Sequence, residues 1–453
     1  MNKTTYPVPE IYSILQSSSK NRTLTVNVPG SKSITNRALL LATLAEGKST
    51  LCGVLFSDDS RHFLKCVQDL GFETTVDEAA RIITVRGCGG KVPQKEASQY
   101  VGSAGTAARF LTAYLGVSEG IYHMDASEQM RTRPMAPLLN SLRELGCEII
   151  CDVKENCFPF TLHSHGFGKN EITIDIGHSS QFLSALLIAS CLSEKDFTIH
   201  VKGTHGMAYI DMTCKMMAQF GVETLREDTI LPPQTAENDP PSHIAYRTCA
   251  GQSYRALDYS VEPDVSAACY FYACAPLLQV SVLVSQVHFD SLQGDVAFLS
   301  ILEAMGCKAT DTPEGIWVTP PKEAVFHGVT ADMSACSDQA ITLAAIAPFA
   351  DSPTTITGIG HIRFQECDRL NAIVTELRKM GIRCEETSNS VTIYPGMPQP
   401  SLVETYDDHR MAMGFSLIGL RAPGIVIDNP GCCRKTFENY FETLDGAIAR
   451  ITE

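Results

Sequence analysis

The stretch PGSKSITNRALLLATLAEGKSTL, Pro29 to Leu51, carries the plan on which the rest of the chain is built. Pro29-Gly30 ends the alternating strand signal of LTVNV just before it. Ser31, Lys32, Ser33, Asn36 and Arg37 then crowd the mouth of an apolar helix whose body runs from Ala38 to Leu44. Free backbone N–H groups and the helix dipole draw an anion to such a mouth, and Lys32 and Arg37 add full charges. Taken alone, the segment reads equally well as a capped, solvated helix start. Recurrence moves the balance. Polar mouth, small-residue helix, turn and β-branched strand return at Ser103, Ser179, Asp264, Ser337 and Asp407.

Between these segments runs a second recurring element, an amphipathic helix that ends in glycine and enters a strand. Its glycines are Gly71, Gly146, Gly221, Gly306 and Gly381, by subtraction about 75, 75, 85 and 75 residues apart. A period of that length means stacked supersecondary units, here about six. The 453 residues suffice for two ample cores, so two domains of three units each is the natural division. The expected class is α/β, each unit reading βαβαββ, with residues 31–262 as one domain and 1–30 plus 263–453 as the other. The last unit lacks its closing hairpin, and the N-terminal strands are expected to complete it. The Pro-rich segment at 229–244 is read as an extended hairpin loop, which accounts for the longer gap.

A formal net charge of −15 argues against general nucleic-acid or acidic-membrane binding, so an anionic ligand must be held by local cations. Seventeen cysteines, an odd number with no CxxC pair, argue against a disulfide framework or a zinc site. No signal peptide and no apolar run near 20 residues is visible. The expectation is a soluble cytoplasmic protein. The repeat mouths collect Lys32, Arg37, Arg109, Gln181, Asp264, Asp338, His409 and Arg410, with Arg131, Arg133, Glu366, Arg369 and Lys435 nearby. Arginines suit planar carboxylate and phosphate, and the few carboxylates in so basic a cluster are candidates for proton transfer. By itself Asp338 reads as a helix cap. No GxSxG, Walker or HExxH pattern competes.

The motifs PGSKSxxNRALLLA at 29, AGTAxR at 104, RTRPM at 131, SSQFLSALL at 179, VEPDVSAA at 261, ECDRL at 366, DDHRMAM at 407 and GCCRKTF at 431 occur in order over about residues 24–445. In these the chain resembles the 5-enolpyruvylshikimate-3-phosphate synthase family. The resemblance implies a two-domain inside-out α/β barrel, three βαβαββ repeats per domain in pseudo-threefold arrangement. It implies attack of the 5-hydroxyl of shikimate-3-phosphate on C2 of phosphoenolpyruvate, in the cleft between the domains, and loss of phosphate from a tetrahedral intermediate. No metal or organic cofactor takes part, and the partners are these small molecules, with the chain a monomer.

Carried onto matching positions, the resemblance puts Lys32, Gly105, Arg133, Gln181 and Lys435 around the phosphoenolpyruvate phosphate. Arg369 and Arg410 clamp its carboxylate, and Arg109 and His409 join the same site, His409 in support. Lys32, Ser33, Arg37, Thr106, Ser179, Ser180, Gln181, Tyr209, Asp338, His361 and Gln365 fall on the acceptor. Asp338 takes the hydroxyl proton, Glu366 protonates the methylene carbon, and Lys32 completes the catalytic set. Several acceptor-side positions depart from the family. Gln365 stands where Lys is usual, His361 where Asn, Gly206 where Ser and Ser103 where Asn. His361, if protonated because a neighbouring phosphate raises its pKa, could restore part of the charge lost with the Lys. A different alcohol acceptor and a non-catalytic anion-binding relative are the alternatives. The sister transferase acting on UDP-N-acetylglucosamine is disfavoured, because YHMDASEQMRTRP lacks its reactive Cys.

Overall fold

The helix that follows each of the six polar mouths has no polar face, and that dictates where it sits. The six are Lys32–Leu44, Gly105–Gly116, Gln181–Ser190, Val265–Tyr272, Ala340–Ile346 and His409–Gly419. Every residue of Gly105–Gly116 and of His409–Gly419 is buried, as a helix that is apolar all round requires. The computed structural model describes residues 4–17, 22–230 and 242–453. Within it each buried helix is followed by an amphipathic one: Asp58–Asp69, Ala136–Glu144, Met207–Gln219, Phe298–Ala304, Arg369–Lys379 and Tyr440–Thr452. The first five of these end at the recurring glycines, which have φ of +88°, +102°, +95°, +106° and +78°. A left-handed residue closes off the last helical carbonyls, and only glycine adopts it without strain.

Each helix pair is wrapped by its own sheet. In one, Glu96–Tyr100 runs parallel to Glu119–Asp125, which pairs antiparallel with Phe160–His165, which pairs in turn with Glu148–Cys151. The same order of one parallel and two antiparallel pairings recurs in the sheet of Glu171–Asp175, Phe197–Lys202, Ser242–Thr248 and Thr224–Ile230. It recurs again in that of Thr330–Asp332, Thr354–Thr357, Val391–Ile393 and Cys384–Glu386. This is the βαβαββ unit expected from the period.

The chain divides into two compact units, residues 30–261 and residues 1–29 with 262–453. In the first, Gly105–Gly116 packs against both Lys32–Leu44 and Gln181–Ser190. In the second, His409–Gly419 packs against Val265–Tyr272 and Ala340–Ile346. The N-terminal strands do not act together as the sequence suggested. Thr5–Pro7 pairs with Ile425–Asp428 in the last sheet, but Thr23–Val26 pairs parallel with Ser281–Ser285 in the fourth. Conversely, Asp258–Ser260 pairs parallel with Glu46–Cys52 in the first. At both crossings the strand stays in the unit that the chain is about to leave. The arms Thr224–Ile230 and Ser242–Thr248 form an antiparallel hairpin. The connection expected as its loop lies outside the described residues. Among the described residues no helix is long and apolar enough to cross a membrane.

Candidate active site

In the 30–261 unit, Ser31 caps the first helix, its Oγ accepting from Ile34 N at 3.5 Å. The helix therefore starts at Lys32, not beyond Arg37 as the sequence suggested, and Arg37 lies inside it, 1 % exposed. Its Nε donates to Thr213 Oγ1 at 2.8 Å, its Nη1 to Ser33 O at 3.1 Å and its Nη2 to Tyr209 O at 3.3 Å. The ring of Phe110 lies 5.1 Å from its guanidinium carbon. Burial pushes the Arg37 pKa down to about 10, against the pull of Tyr209 and Cys214. It still carries its charge at neutral pH. Lys32 Nζ sits at the helix mouth, 3.4 Å from Asp59 Oδ2. Thr106 Oγ1 accepts from Asn36 Nδ2 at 2.6 Å, joining the first mouth to the second.

The second mouth opens at Gly105. A Cβ there would lie 3.1 Å from Gln181 Oε1 and 3.2 Å from Nη1 of both Arg109 and Arg133. Three polar side chains thus converge on a position that must have no side chain. Arg109 is 2 % exposed and donates to Gly105 O, Met130 Sδ and Pro134 O, so it braces this turn from within. Gln181 Oε1 is buried with no hydrogen-bond partner among the described residues. In either orientation, then, its amide offers an unused polar group at the cradle. Ser179 Oγ accepts from Gln181 N at 3.3 Å, and the Ser180 side chain faces Gly206. Gly206 has φ +65°, and a Cβ on it would come within 2.5 Å of Ser180 Oγ. The glycine departure is therefore matched to Ser180. Tyr209 follows one turn later, half-buried.

In the other unit the carboxylates and cations interleave. Arg369 is 2 % exposed and is held by Asp408 through Nε–Oδ2 at 2.7 Å and Nη2–Oδ1 at 3.2 Å. Its Nη1 donates to Asp338 Oδ1 and its Nη2 to Glu366 Oε2, each at 2.9 Å. Burial works against this charge, but Asp408, Glu366 and Asp338 outweigh it and hold the Arg369 pKa above its ordinary value. Arg410 Nη2 donates to Asp338 Oδ2 at 2.7 Å, and Lys435 Nζ lies 3.1 Å from Glu366 Oε1. Asp338 thus sits between two guanidiniums, and Glu366 between a guanidinium and an ammonium. His409 is 1 % exposed, its Nδ1 3.5 Å from Asp408 Oδ1.

Two of the other departures, Gln365 and His361, lie beside this cluster. Gln365 Oε1 accepts a short hydrogen bond from Arg369 Nη1. His361 Nε2 lies 2.8 Å from Ser337 Oγ. Burial pushes the His361 pKa down to about 4, Asp338 opposing and Arg369 reinforcing the shift. Burial thus favours the neutral ring, and the protonated His361 considered from the sequence would need the charge of a neighbouring phosphate to raise its pKa. Sequence reasoning also passed over Asp408, which orients Arg369 while capping His409–Gly419 through Arg410 N at 2.9 Å. The doubled Asp of DDHR was the available signal.

Solved structures show the same fold. EPSP synthase from Acinetobacter baumannii superposes with a TM-score of 0.77 at 23 % identity, covering 98 % of each chain. The enolpyruvyl transferase NikO from Streptomyces tendae superposes with a TM-score of 0.70 at 14 % identity, over 98 % of this chain and 97 % of that one. The fold is thus that of an enolpyruvyl transferase. A family model for EPSP synthase (3-phosphoshikimate 1-carboxyvinyltransferase) matches residues 17–444. The 3-phosphoshikimate 1-carboxyvinyltransferase of Nostoc punctiforme is 43 % identical over 92 % of this chain and 94 % of its own. The chloroplastic enzyme of Arabidopsis thaliana is 38 % identical over 94 % and 82 %. This chain belongs to the EPSP synthase family.

Proposed function

We infer that the cations and carboxylates of the two units carry out enolpyruvyl transfer from phosphoenolpyruvate to the 5-hydroxyl of shikimate-3-phosphate, a step of the shikimate pathway. Arg369 and Arg410 take the phosphoenolpyruvate carboxylate. Lys32, the Gly105 cradle with Arg133 and Gln181, and Lys435 take its phosphate, with Arg109 and His409 as buried supports. Ser33, Arg37, Thr106, Ser179, Ser180 and Tyr209 serve the acceptor, as do His361 and Gln365. Asp338 accepts the proton of the attacking hydroxyl as its oxygen bonds to C2, and Glu366 delivers a proton to C3. The C2–phosphate oxygen bond then breaks, phosphate leaves with the proton that Asp338 had taken, and Glu366 recovers a proton from the new methyl group to restore the double bond.

The observation that carries this reading is the alternation of charge at Asp338 and Glu366. Each carboxylate is hydrogen-bonded or ion-paired to two cations suited to bind a carboxylate or phosphate. An arriving anion competes for those cations and releases the carboxylates for proton transfer. The Nostoc punctiforme and Arabidopsis thaliana relatives carry the name 3-phosphoshikimate 1-carboxyvinyltransferase, which supports the ordinary acceptor. Turnover in heavy water tests the roles. Deuterium should enter the methylene of the product with both substrates present, and Glu366→Gln should lose that incorporation with turnover. Unlabelled product from an active wild type would remove protonation at C3 from the mechanism.

A further inference from the structure

One buried carboxylate near the reacting groups has no part in the chemistry above. Asp295, in the short 3-10 turn Gly294–Ala297, is 4 % exposed. Its Oδ2 accepts a short hydrogen bond from Ser266 Oγ and another from Gln339 Nε2 at 3.2 Å. Ser266 Oγ, donating its hydrogen bond to Asp295, accepts from Arg410 Nη2 at 3.4 Å. Arg410 Nη2 is also the group that holds Asp338. Gln339 is the residue after Asp338 and is itself 0 % exposed. One carboxylate therefore underlies both the partner of Asp338 and its neighbour in the chain. A buried charge is costly, and a packed apolar residue is often as stable or more so. Its presence here calls for a role.

We propose that Asp295 is a positioning residue for the transfer reaction, its ionised carboxylate orienting the Ser266 hydroxyl so that Arg410 is held for the phosphoenolpyruvate carboxylate and against Asp338. The chemistry of a hydroxyl gives the reason. Ser266 has one proton. Ionised Asp295 accepts a hydrogen bond from it and leaves the oxygen lone pairs to Arg410. Protonated Asp295 can donate to Ser266 instead, and it then competes with Arg410 for the lone pairs of the hydroxyl oxygen.

The groups facing Asp295 are few. Asp264 and Cys269 come from the helix Val265–Tyr272 and its cap, Cys336 and Asp338 from the Ser337–Gln339 turn and the residue before it, and Arg410 from His409–Gly419. Burial holds both thiols above their ordinary pKa, so they stay neutral. Burial first, then the charge of Asp338, raises the Asp295 pKa to about 6, with Arg410 and Ser266 opposing. The orienting hydrogen bond is therefore made above that pH and lost below it.

The proposal rests on the roles given to Arg410 and Asp338, and the test separates the two. The kcat and KM for phosphoenolpyruvate are measured from pH 5 to 8.5, at saturating shikimate-3-phosphate, for wild type, Asp295→Asn, Ser266→Ala, the double variant and Arg410→Ala. Ionisation of the substrate phosphates is common to all and cancels in ratios. The ratio of wild-type to Asp295→Asn kcat/KM should be near one at pH 5 and rise to about tenfold above pH 7, a pattern that loss of fold stability alone does not produce. Ser266→Ala should trace the same curve, and the double variant should be no worse than either single one, as expected of residues acting in series. If Asp295→Asn does not fold, Ser266→Ala alone decides by the same curve. A ratio independent of pH, or losses that multiply in the double variant, overturns the proposal. If Arg410→Ala keeps the wild-type KM, it is the site assignment that fails.

Discussion

Arg369 shows how the chemistry depends on residues that never meet a substrate. Its fork is set by Asp408, which is 0 % exposed and accepts from two of its nitrogens. Removing one partner of a buried pair leaves the other charge uncompensated and typically costs about 3–5 kcal/mol. Arg369 would keep Asp338 and Glu366 as partners, so Asp408→Ala should lose less than this in chemical denaturation and raise the KM for phosphoenolpyruvate at least tenfold; an unchanged KM would show that Arg369 needs no such support. Two buried titrating groups give a second prediction. Asp295, raised to about 6, favours the folded state in its protonated form, a contribution present below the ordinary carboxyl pKa and lost as pH rises through 6. His361, lowered to about 4, favours it in the neutral form, a contribution present above the ordinary imidazole pKa and lost as pH falls towards 4. The two oppose each other between pH 4 and 6. Relative to wild type, Asp295→Asn should gain stability as pH rises through that window, and His361→Gln should gain it as pH falls. Parallel melting curves across pH would contradict both. The cations that gather in the candidate site were legible in the sequence as a cluster, because most of them recur at or beside the helix mouths. Asp408 and Asp295 were not, because a buried carboxylate that orients a partner looks in sequence like any helix cap or turn residue.

At the scale of elements, the recurring glycines and the apolar helices were the readable features, since each has a single structural use. A glycine closing an amphipathic helix takes a left-handed conformation, and a helix without a polar face goes to the core. Strand membership at the crossings was harder to read. LTVNV precedes the first helix mouth in sequence, yet Thr23–Val26 pairs with Ser281–Ser285, because hydrogen-bonding partners are chosen in space and not along the chain. Arg37 was misplaced for a similar reason: a cation six residues past the cap residue Ser31 is inside the helix and buried, not at its mouth. The Gly105 cradle offers a sharp test. A methyl there meets Gln181, Arg109 and Arg133 at 3.1–3.2 Å, tighter than ordinary contact, so they must give way. Gly105→Ala should raise the KM for phosphoenolpyruvate at least severalfold while the KM for shikimate-3-phosphate changes less. Equal effects on both substrates would mean that the cradle does not belong to the phosphate.

For the whole molecule, the two units have the makings of independent folding bodies. One large buried cluster, from Val8 to Ile451, draws on no residue of the 30–261 unit. The ends of that unit lie side by side: a Cβ on Gly30 would be 3.4 Å from Val261 Cγ1, and Val261 N donates to Cys52 O at 2.9 Å. A continuous segment with its own core and adjacent ends meets the usual requirements of a domain. Residues 30–261 expressed alone should unfold cooperatively in urea; a non-cooperative fragment would show that its core needs the rest of the chain. The net charge of −15 repels phosphoenolpyruvate at long range, so binding depends on the local cations of each unit. The central claim is that this chain joins two substrates by addition and elimination, with Asp338 and Glu366 moving the protons. Release of inorganic phosphate tests it most directly. Wild type should release phosphate only when phosphoenolpyruvate and shikimate-3-phosphate are both present, and Asp338→Asn and Glu366→Gln should be slower by roughly two orders of magnitude or more. Release from phosphoenolpyruvate alone, no release with both, or near-normal rates in either variant would contradict the account.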